Sequence, residues 1–321
     1  MDNAGLIRSP SPIRGFKYYL GCRLKKRPFL VNLEVTKRCN ARCGFCSYWH
    51  TEHPQELPDY TDVVKKLRPV VLSISGGEPL LRKDIHEIIK GVRPYCHYLV
   101  MVTNGTILTE EVADRLSMAG LNQLAVSLDF ADERHDEARG VTGLFKKVSK
   151  MVPRLASKGY KVVLNTVIME SNMGHIIALA HMARSWGAGI SFSAYCSLKK
   201  GDEGPMIEGG KLKQLEDIVA ELKLLKRMLG HIKNSDYYLN GIPRYFRNGG
   251  MESCKAGLRW VQVTPDGYIK PCSELPVMCR YDEYGQERVP EITCTECWYT
   301  CRGEAEASHL APDRLAELIR S

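Results

Sequence analysis

Between residues 29 and 229 the sequence alternates short apolar runs with longer amphipathic stretches, and this alternation leaves few architectures open. The runs at 29–35, 70–75, 98–103, 123–128, 161–168 and 189–194 have the length and composition of strands. The stretches at 61–68, 83–92, 110–119, 145–158, 173–186 and 211–229 carry helical spacing. Strand–helix–strand order implies right-handed crossovers and a parallel sheet. The run Val70-Val-Leu-Ser-Ile74 reads as a strand buried on both faces. Thr109 before Glu110 and Glu111 caps the third helix, and Gly120 follows its last turn. Six units are too few to close an eight-stranded barrel. In sheets of this kind reactive groups gather at the carboxyl ends of the strands, so those ends are where chemistry is sought.

The first strand end carries K-R-C-N-A-R-C-G-F-C, with Cys39, Cys43 and Cys46 inside eight residues. Three thiolates on one loop are well placed to hold three irons of a 4Fe–4S cluster, which normally takes four. The fourth iron then stays open, which a metal centre needs if it is to do chemistry. Zinc is the alternative, although it favours paired C-x2-C units separated by a longer gap. The second strand end carries Ser75-Gly76-Gly77-Glu78-Pro79. Two glycines let the backbone come close to a ligand, and the strand-end carbonyls with Glu78 offer acceptors for an ammonium group. A plain turn is the other reading of these residues.

The chain has 321 residues, 44% of them hydrophobic, enough for a full enzyme core and a second domain. Its net charge of +8 is spread along the length, with a modest basic excess at Arg8, Arg14, Lys17, Arg23, Lys25, Lys26 and Arg27. That distribution does not favour a nucleic-acid substrate. No apolar run is long enough to cross a membrane, and no signal peptide is expected at the start. Twelve cysteines without an export signal favour a reducing compartment, the cytoplasm, and metal ligation over disulfides. Residues 13–24 mix aromatics with cations, and either lie on a membrane surface or form a helix on the outside of the core.

The spacing C-x3-C-x2-C followed by Gly76-Gly77-Glu78-Pro79 resembles the radical S-adenosylmethionine (radical SAM) superfamily, in which the open iron chelates the amino and carboxylate groups of SAM. The resemblance implies an α/β fold, a (β/α)6 partial TIM barrel over 29–240. It also implies reductive cleavage of SAM to a 5′-deoxyadenosyl radical, which takes hydrogen from an unactivated carbon. Val102-Thr-Asn-Gly105, Ser127-Leu-Asp129, His135-Asp136, Arg139-Gly140, Gly143 and Phe145 resemble the branch that modifies cofactors and peptides. By that resemblance Ser127 and Arg139 hold the SAM ribose and carboxylate, with Gly76, Gly77, Glu78, Asn104 and Asn165 beside them. A guanidinium fork suits a carboxylate. Blander readings stand next to these. Asp129 caps a loop, His135-Asp136 opens a helix, and Thr103-Asn104-Gly105 is a turn.

Six further cysteines, Cys254, Cys272, Cys279, Cys294, Cys297 and Cys301, follow. Between the first two, Leu258 to Thr264, Pro265-Asp-Gly267 and Tyr268-Ile-Lys270 read as a β-hairpin, which brings Cys254 and Cys272 together. This resembles the twitch domain, a shortened form of the SPASM auxiliary-cluster domain, and is expected over 241–321. Six cysteines imply one auxiliary 4Fe–4S cluster, on Cys254, Cys272, Cys294 and Cys297 with Cys301 as an alternative ligand. A zinc ribbon is the competing reading. Cys22, Cys96 and Cys196 are expected to be structural or incidental.

The glycine-rich loop 201–210 either covers the open end of the barrel or only connects elements. Residues 1–28 form a basic, aromatic arm, with no peptide-recognition or cobalamin domain expected ahead of the core. The expected substrate is a small molecule, cofactor, lipid or tetrapyrrole, with a ribosomal peptide as the alternative. The expected electron donor is a flavodoxin or ferredoxin. The alternative of another class is a non-enzymatic iron–sulfur electron carrier. The cytoplasm is the expected location, with membrane contact possible through the arm.

Overall fold

The structure, a computed structural model, describes residues 11–307. Arg8 of the basic arm lies outside them. Helix α1 (Pro12–Leu24) leads into six strand–helix units: β1 (Leu30–Thr36), α2 (Thr61–Leu67), β2 (Val71–Gly76), α3 (Ile85–Val92), β3 (Tyr98–Thr103), α4 (Glu110–Met118), β4 (Gln123–Ser127), α5 (Arg134–Arg139), α6 (Leu144–Ser157), β5 (Val162–Ile168), α7 (Ile176–Ser185), β6 (Gly189–Ala194) and α8 (Lys211–Leu229). Then follow α9 (Asp236–Asn248), β7 (Trp260–Val263), β8 (Tyr268–Lys270), β9 (Cys279–Arg280) and α10 (Thr300–Glu306).

The nine strands among the described residues belong to one sheet, in the order β6-β5-β4-β3-β2-β1-β7-β8-β9. Strands β1 to β6 run parallel in sequence order, as expected of the partial barrel. The expected hairpin forms between β7 and β8, and it extends the barrel sheet: β7 lies parallel to β1, with Leu30 opposite Trp260 and Leu33 opposite Val263. An open strand edge exposes unpaired backbone groups, and β7 covers that of β1. The boundary expected after residue 240 falls inside α9.

The expectation that 70–75 is buried on both faces is corrected by the alternation along the strand. Leu72 and Ile74 are fully buried, whereas Val71, Ser73 and Ser75 line a cavity of about 1130 Å³ inside the barrel. The same period of two puts Asn32 and Glu34 of β1, Val100 and Val102 of β3, Ala125 and Ser127 of β4, and Ser191 and Ser193 of β6 on the cavity wall.

Helix α1 packs on the barrel's amino-terminal side. Arg14 and Tyr18 donate to the Pro94 carbonyl, and Gly15 lies so close to His97 that a Cβ there would sit 2.8 Å from its ring. Its outer side exposes Ile13, Leu20 and Leu24, while Phe16, also exposed, lines the cavity. The loop 201–210 is a connector. Ile207 is fully buried, Glu170 N–H donates to the Pro205 carbonyl, and none of these loop residues lines the cavity.

Candidate active site

The loop after β1 is held in place mostly by backbone. Gly77 N–H donates to Thr36 O at 2.8 Å, and Glu78 N–H to Arg38 O at 2.8 Å. A Cβ at Gly76 would sit 2.1 Å from Thr36 O, and one at Gly77 would sit 2.1 Å from Arg38 O. The two glycines therefore let β2 press against the cysteine loop, and both also line the cavity where the ligand is expected. On the other side Arg42 and Gly44 donate to the carbonyls of Arg139 and Ala138 at the end of α5. The result is a loop whose Cys39, Cys43 and Cys46 all face the cavity.

Glu78 stands elsewhere than expected. It is fully buried, and its carboxylate accepts from Leu80 N–H at 3.1 Å, Thr103 Oγ1 at 2.8 Å and Asn104 N–H at 2.7 Å. It does not line the cavity. It ties the end of β3 to the second motif and so places Asn104, whose Nδ2 reaches Asn40 Oδ1 at 2.9 Å and Cys39 Sγ at 3.9 Å.

Arg139 and Asp129 form a buried pair, with Nε and Nη2 both 2.7 Å from Oδ2. Arg139 Nη1 also lies 3.7 Å from Cys43 Sγ, and the guanidinium faces the Phe45 ring at 5.0 Å. The fork expected for a SAM carboxylate is thus engaged by Asp129 along one edge, although Arg139 still lines the cavity. Asp129 does more than cap a loop, because Oδ1 also accepts from Val167 N–H at 2.9 Å. His135 is fully buried, and burial pushes its pKa down to about 4. Its Nδ1 accepts from Asp129 N–H at 3.2 Å, so it is a support within α5.

Ser127 and Asn165 are register partners on β4 and β5 and both line the cavity. Neither side chain has a hydrogen-bond partner among the described residues, which suits them to a polar ligand. Burial pushes the Cys39 and Cys43 thiols up. Iron would supply the positive charge that favours the thiolates there. The donor set therefore fits a cluster and SAM at this end of the barrel.

The C-terminal cysteines divide into groups. Cys254, Cys272 and Cys301 pack together on Ala256, Trp260 and Ala305. Cys294 approaches Cys272, while buried Cys297 approaches Cys301 and Cys196. Cys301, expected only as an alternative, is therefore at the centre of the group and also faces the cavity. Cys279 is held in β9 opposite Ile269, with Glu283, Arg288 and Asp282 as its charged neighbours. Cys196 lines the cavity, which its apolar sequence setting did not suggest. Cys22 and Cys96 are buried away from it. No three His, Cys, Asp or Glu side chains among the described residues converge on a single ion. A four-iron cluster needs a wider set, because each thiolate binds a different iron.

Sequence reasoning missed two residues. Arg302 is fully buried and joins the carbonyls of Cys297, Met251 and Glu252 at 2.7–2.8 Å. Lys199 lines the cavity between Cys46 and Cys301. No spacing signal marked either.

The model of the radical SAM superfamily matches residues 33–183, which hold the cysteine and glycine motifs, the end of β1 and all of β2 to β5. Residues 33–183 are thus a radical SAM domain, and the protein is a radical SAM enzyme, using SAM and a 4Fe–4S cluster. Among curated relatives, the AdoMet-dependent heme synthase of Methanosarcina barkeri is 26% identical over 274 residues, covering 78% of this chain and 78% of that protein. The GTP 3',8-cyclase of Clostridium perfringens strain SM101 is 27% identical over 270 residues, covering 75% of this chain and 79% of that protein. Among solved structures, Streptococcus suis SuiB bound to S-adenosylmethionine superposes with a TM-score of 0.66 at 15% identity, covering 85% of this chain and 68% of SuiB. The structure of anSMEcpe with bound AdoMet gives a TM-score of 0.59 at 18% identity, over 81% and 79% of the two chains. These two likenesses show the shared fold.

Proposed function

We propose that this enzyme abstracts hydrogen from a small biosynthetic substrate of the cofactor, lipid or tetrapyrrole kind, and that an auxiliary 4Fe–4S cluster stands across the cavity from the SAM site. The observation that carries the reading is one continuous cavity walled by Cys39, Cys43 and Cys46 on one side and by Cys301 on the other. When bound, a reduced cluster supplies the electron that cleaves SAM to the 5′-deoxyadenosyl radical. The chain's own part is to hold and orient. Cys39, Cys43 and Cys46 would hold that cluster. Ser127, Asn165 and Asn104 offer polar groups to SAM, with Arg139 beside Cys43. Val100, Val102, Ala125 and Val163 present apolar surface that keeps water from the reacting carbon.

The auxiliary ligands are proposed as Cys254, Cys272 and Cys301, joined by Cys294 or Cys297. A cluster there would take an electron from the substrate or hold it directly. Relatives named heme synthase and GTP cyclase, matched over most of their length, favour small-molecule chemistry. The peptide reading has one supporting observation, since SuiB is also solved bound to the precursor peptide SuiA. A flavodoxin or ferredoxin is the proposed electron donor, and the cytoplasm the proposed location. Among the described residues no helix is long and apolar enough to cross a membrane. Contact with a membrane surface is proposed through the outer side of α1, where Ile13, Leu20 and Leu24 are flanked by exposed Arg14, Lys17 and Arg23.

The test is anaerobic turnover of the reconstituted enzyme with SAM, reductant and candidate substrates, followed by mass spectrometry. Formation of 5′-deoxyadenosine with a modified small molecule is expected. Modification of a peptide and of no small molecule would reverse the substrate assignment.

A further inference from the structure

Lys199 ends the short turn Ser197–Lys199 that follows β6. The next residue, Lys200, donates to the Gly44 carbonyl and so ties this turn to the loop of Cys39, Cys43 and Cys46. The Lys199 ammonium stands 4.7 Å from the Tyr48 ring centroid and 5.9 Å from that of Tyr299. Lys37 sits over the same Tyr48 ring at 3.9 Å, so two cations share one ring.

Two carboxylates, Glu34 and Glu274, are within electrostatic reach of Lys199. Both already have donors. Glu34 accepts from Tyr48 OH and pairs with Lys37 at 2.5 Å. Glu274 Oε1 accepts from Ser273 Oγ at 2.8 Å and from Tyr299 OH at 3.1 Å. Among the described residues the Lys199 ammonium has only ring contacts: it makes no hydrogen bond and no ion pair. Lys199 is only partly buried, and its ammonium is open to the cavity, where its three donors can meet an acceptor. A ligand acceptor for them would come from the cavity that Lys199 faces. A few placed polar groups on a largely apolar wall are the usual means by which a pocket fixes a ligand's orientation.

We propose that Lys199 is the anchor for an oxyanion of the substrate, a carboxylate or a phosphate, between Cys46 and Cys301. The proposal rests on the function given above and adds a chemical class to it. An anion held there turns the rest of the substrate toward Ser127 and Asn165, where SAM would be bound. Tyr48 and Tyr299 limit the size of the group that reaches the ammonium. A substrate lacking the oxyanion forgoes this charge-assisted contact, so the site favours one that carries it.

Equilibrium dialysis of the reconstituted, SAM-loaded protein against labelled pyrophosphate and, separately, labelled citrate tests the site. One saturable site per chain is expected, weakened at least tenfold by Lys199→Met and retained by Lys199→Arg. Tighter pyrophosphate binding would identify a phosphate, and tighter citrate binding a carboxylate. Failure of the parent protein to bind either anion overturns the proposal. So does binding that Lys199→Met leaves unchanged, in which case a shifted cluster potential would mark the lysine as a counter-charge for the metal centres. Equal loss in both variants also overturns it, as a local structural effect. Iron content and 5′-deoxyadenosine formation in the parent protein are read separately, so a wrong metal-centre assignment is distinguished from a wrong anion site.

Discussion

Replacing Glu78 separates a framework role from a ligand role. Its carboxylate takes two backbone N–H groups, those of Leu80 and Asn104, and the Thr103 hydroxyl, with no exposure to water. Glu78→Ala leaves all three donors unanswered. Each orphaned buried donor costs about 1–3 kcal/mol. The hydroxyl can turn to another acceptor, so the two backbone donors give a total of about 2–6 kcal/mol by the same rule. At this chain length that corresponds to a fall in Tm of about 4–12 °C, at roughly 2 °C per kcal/mol. Glu78→Gln keeps one acceptor oxygen and turns an amide toward a donor, so it should lose about 1–3 kcal/mol. SAM affinity should fall in step with stability in both variants, because Asn104 moves when its N–H loses Glu78. The assays are thermal unfolding of the reconstituted protein and calorimetric SAM titration. If Glu78→Gln abolishes SAM binding while Tm is unchanged, the carboxylate touches SAM directly and the framework role is wrong.

Replacing Cys39, Cys43 and Cys46 together by Ala should abolish 5′-deoxyadenosine formation while leaving about four irons; SAM cleavage by this variant would remove the loop from the chemistry. Cys301→Ala should lose the auxiliary irons, counted by iron analysis and electron paramagnetic resonance, and Cys279→Ala should not; the opposite pattern would move the centre toward β9. His135 is neutral in the fold with a pKa near 4, against about 6.5 unfolded. The unfolded chain therefore binds the extra proton first as pH falls, and stability present above pH 6.5 should drop by about 1.4 kcal/mol by pH 5.5. His135→Gln should flatten that slope in denaturant titrations, and an unchanged slope would assign it to another group. Replacing Ile13 and Leu20 together by Ser should release the protein from vesicles containing anionic lipid in sedimentation assays; equal retention of variant and parent would remove α1 from membrane contact.

The sheet was legible because each of its first six strands is a bounded run, followed by a helix whose apolar spacing is regular. The cysteine loop was legible because its ligands are adjacent in sequence. What escaped depended on distant partners. Glu78 follows two glycines, yet only the return of β3 beneath it shows where its oxygens point. Helix α9 holds Gly241 and Pro243, which disguise it as a turn. Gly241 is there because Trp298 lies against it, leaving no room for a Cβ, which would come within 2.4 Å of the ring. The hairpin could be read from Pro265-Asp-Gly267, but not the barrel edge that it joins. Lys199 is one of two adjacent lysines in a loop, and only the folded cavity distinguishes it from Lys200.

The pairing of β7 with β1 has a consequence for how the protein is made. Leu30 waits for Trp260, so an early strand of the emerging chain keeps a bare edge until most of the polypeptide has left the ribosome. At about 5–20 residues per second, that interval lasts on the order of ten seconds or more. The strand left waiting leads directly into the loop of Cys39, Cys43 and Cys46. Delivery of iron and sulfur to that loop would therefore compete with off-pathway strand association. Low yield at high expression rates, relieved by slower synthesis, would be a property of the topology rather than of any single residue.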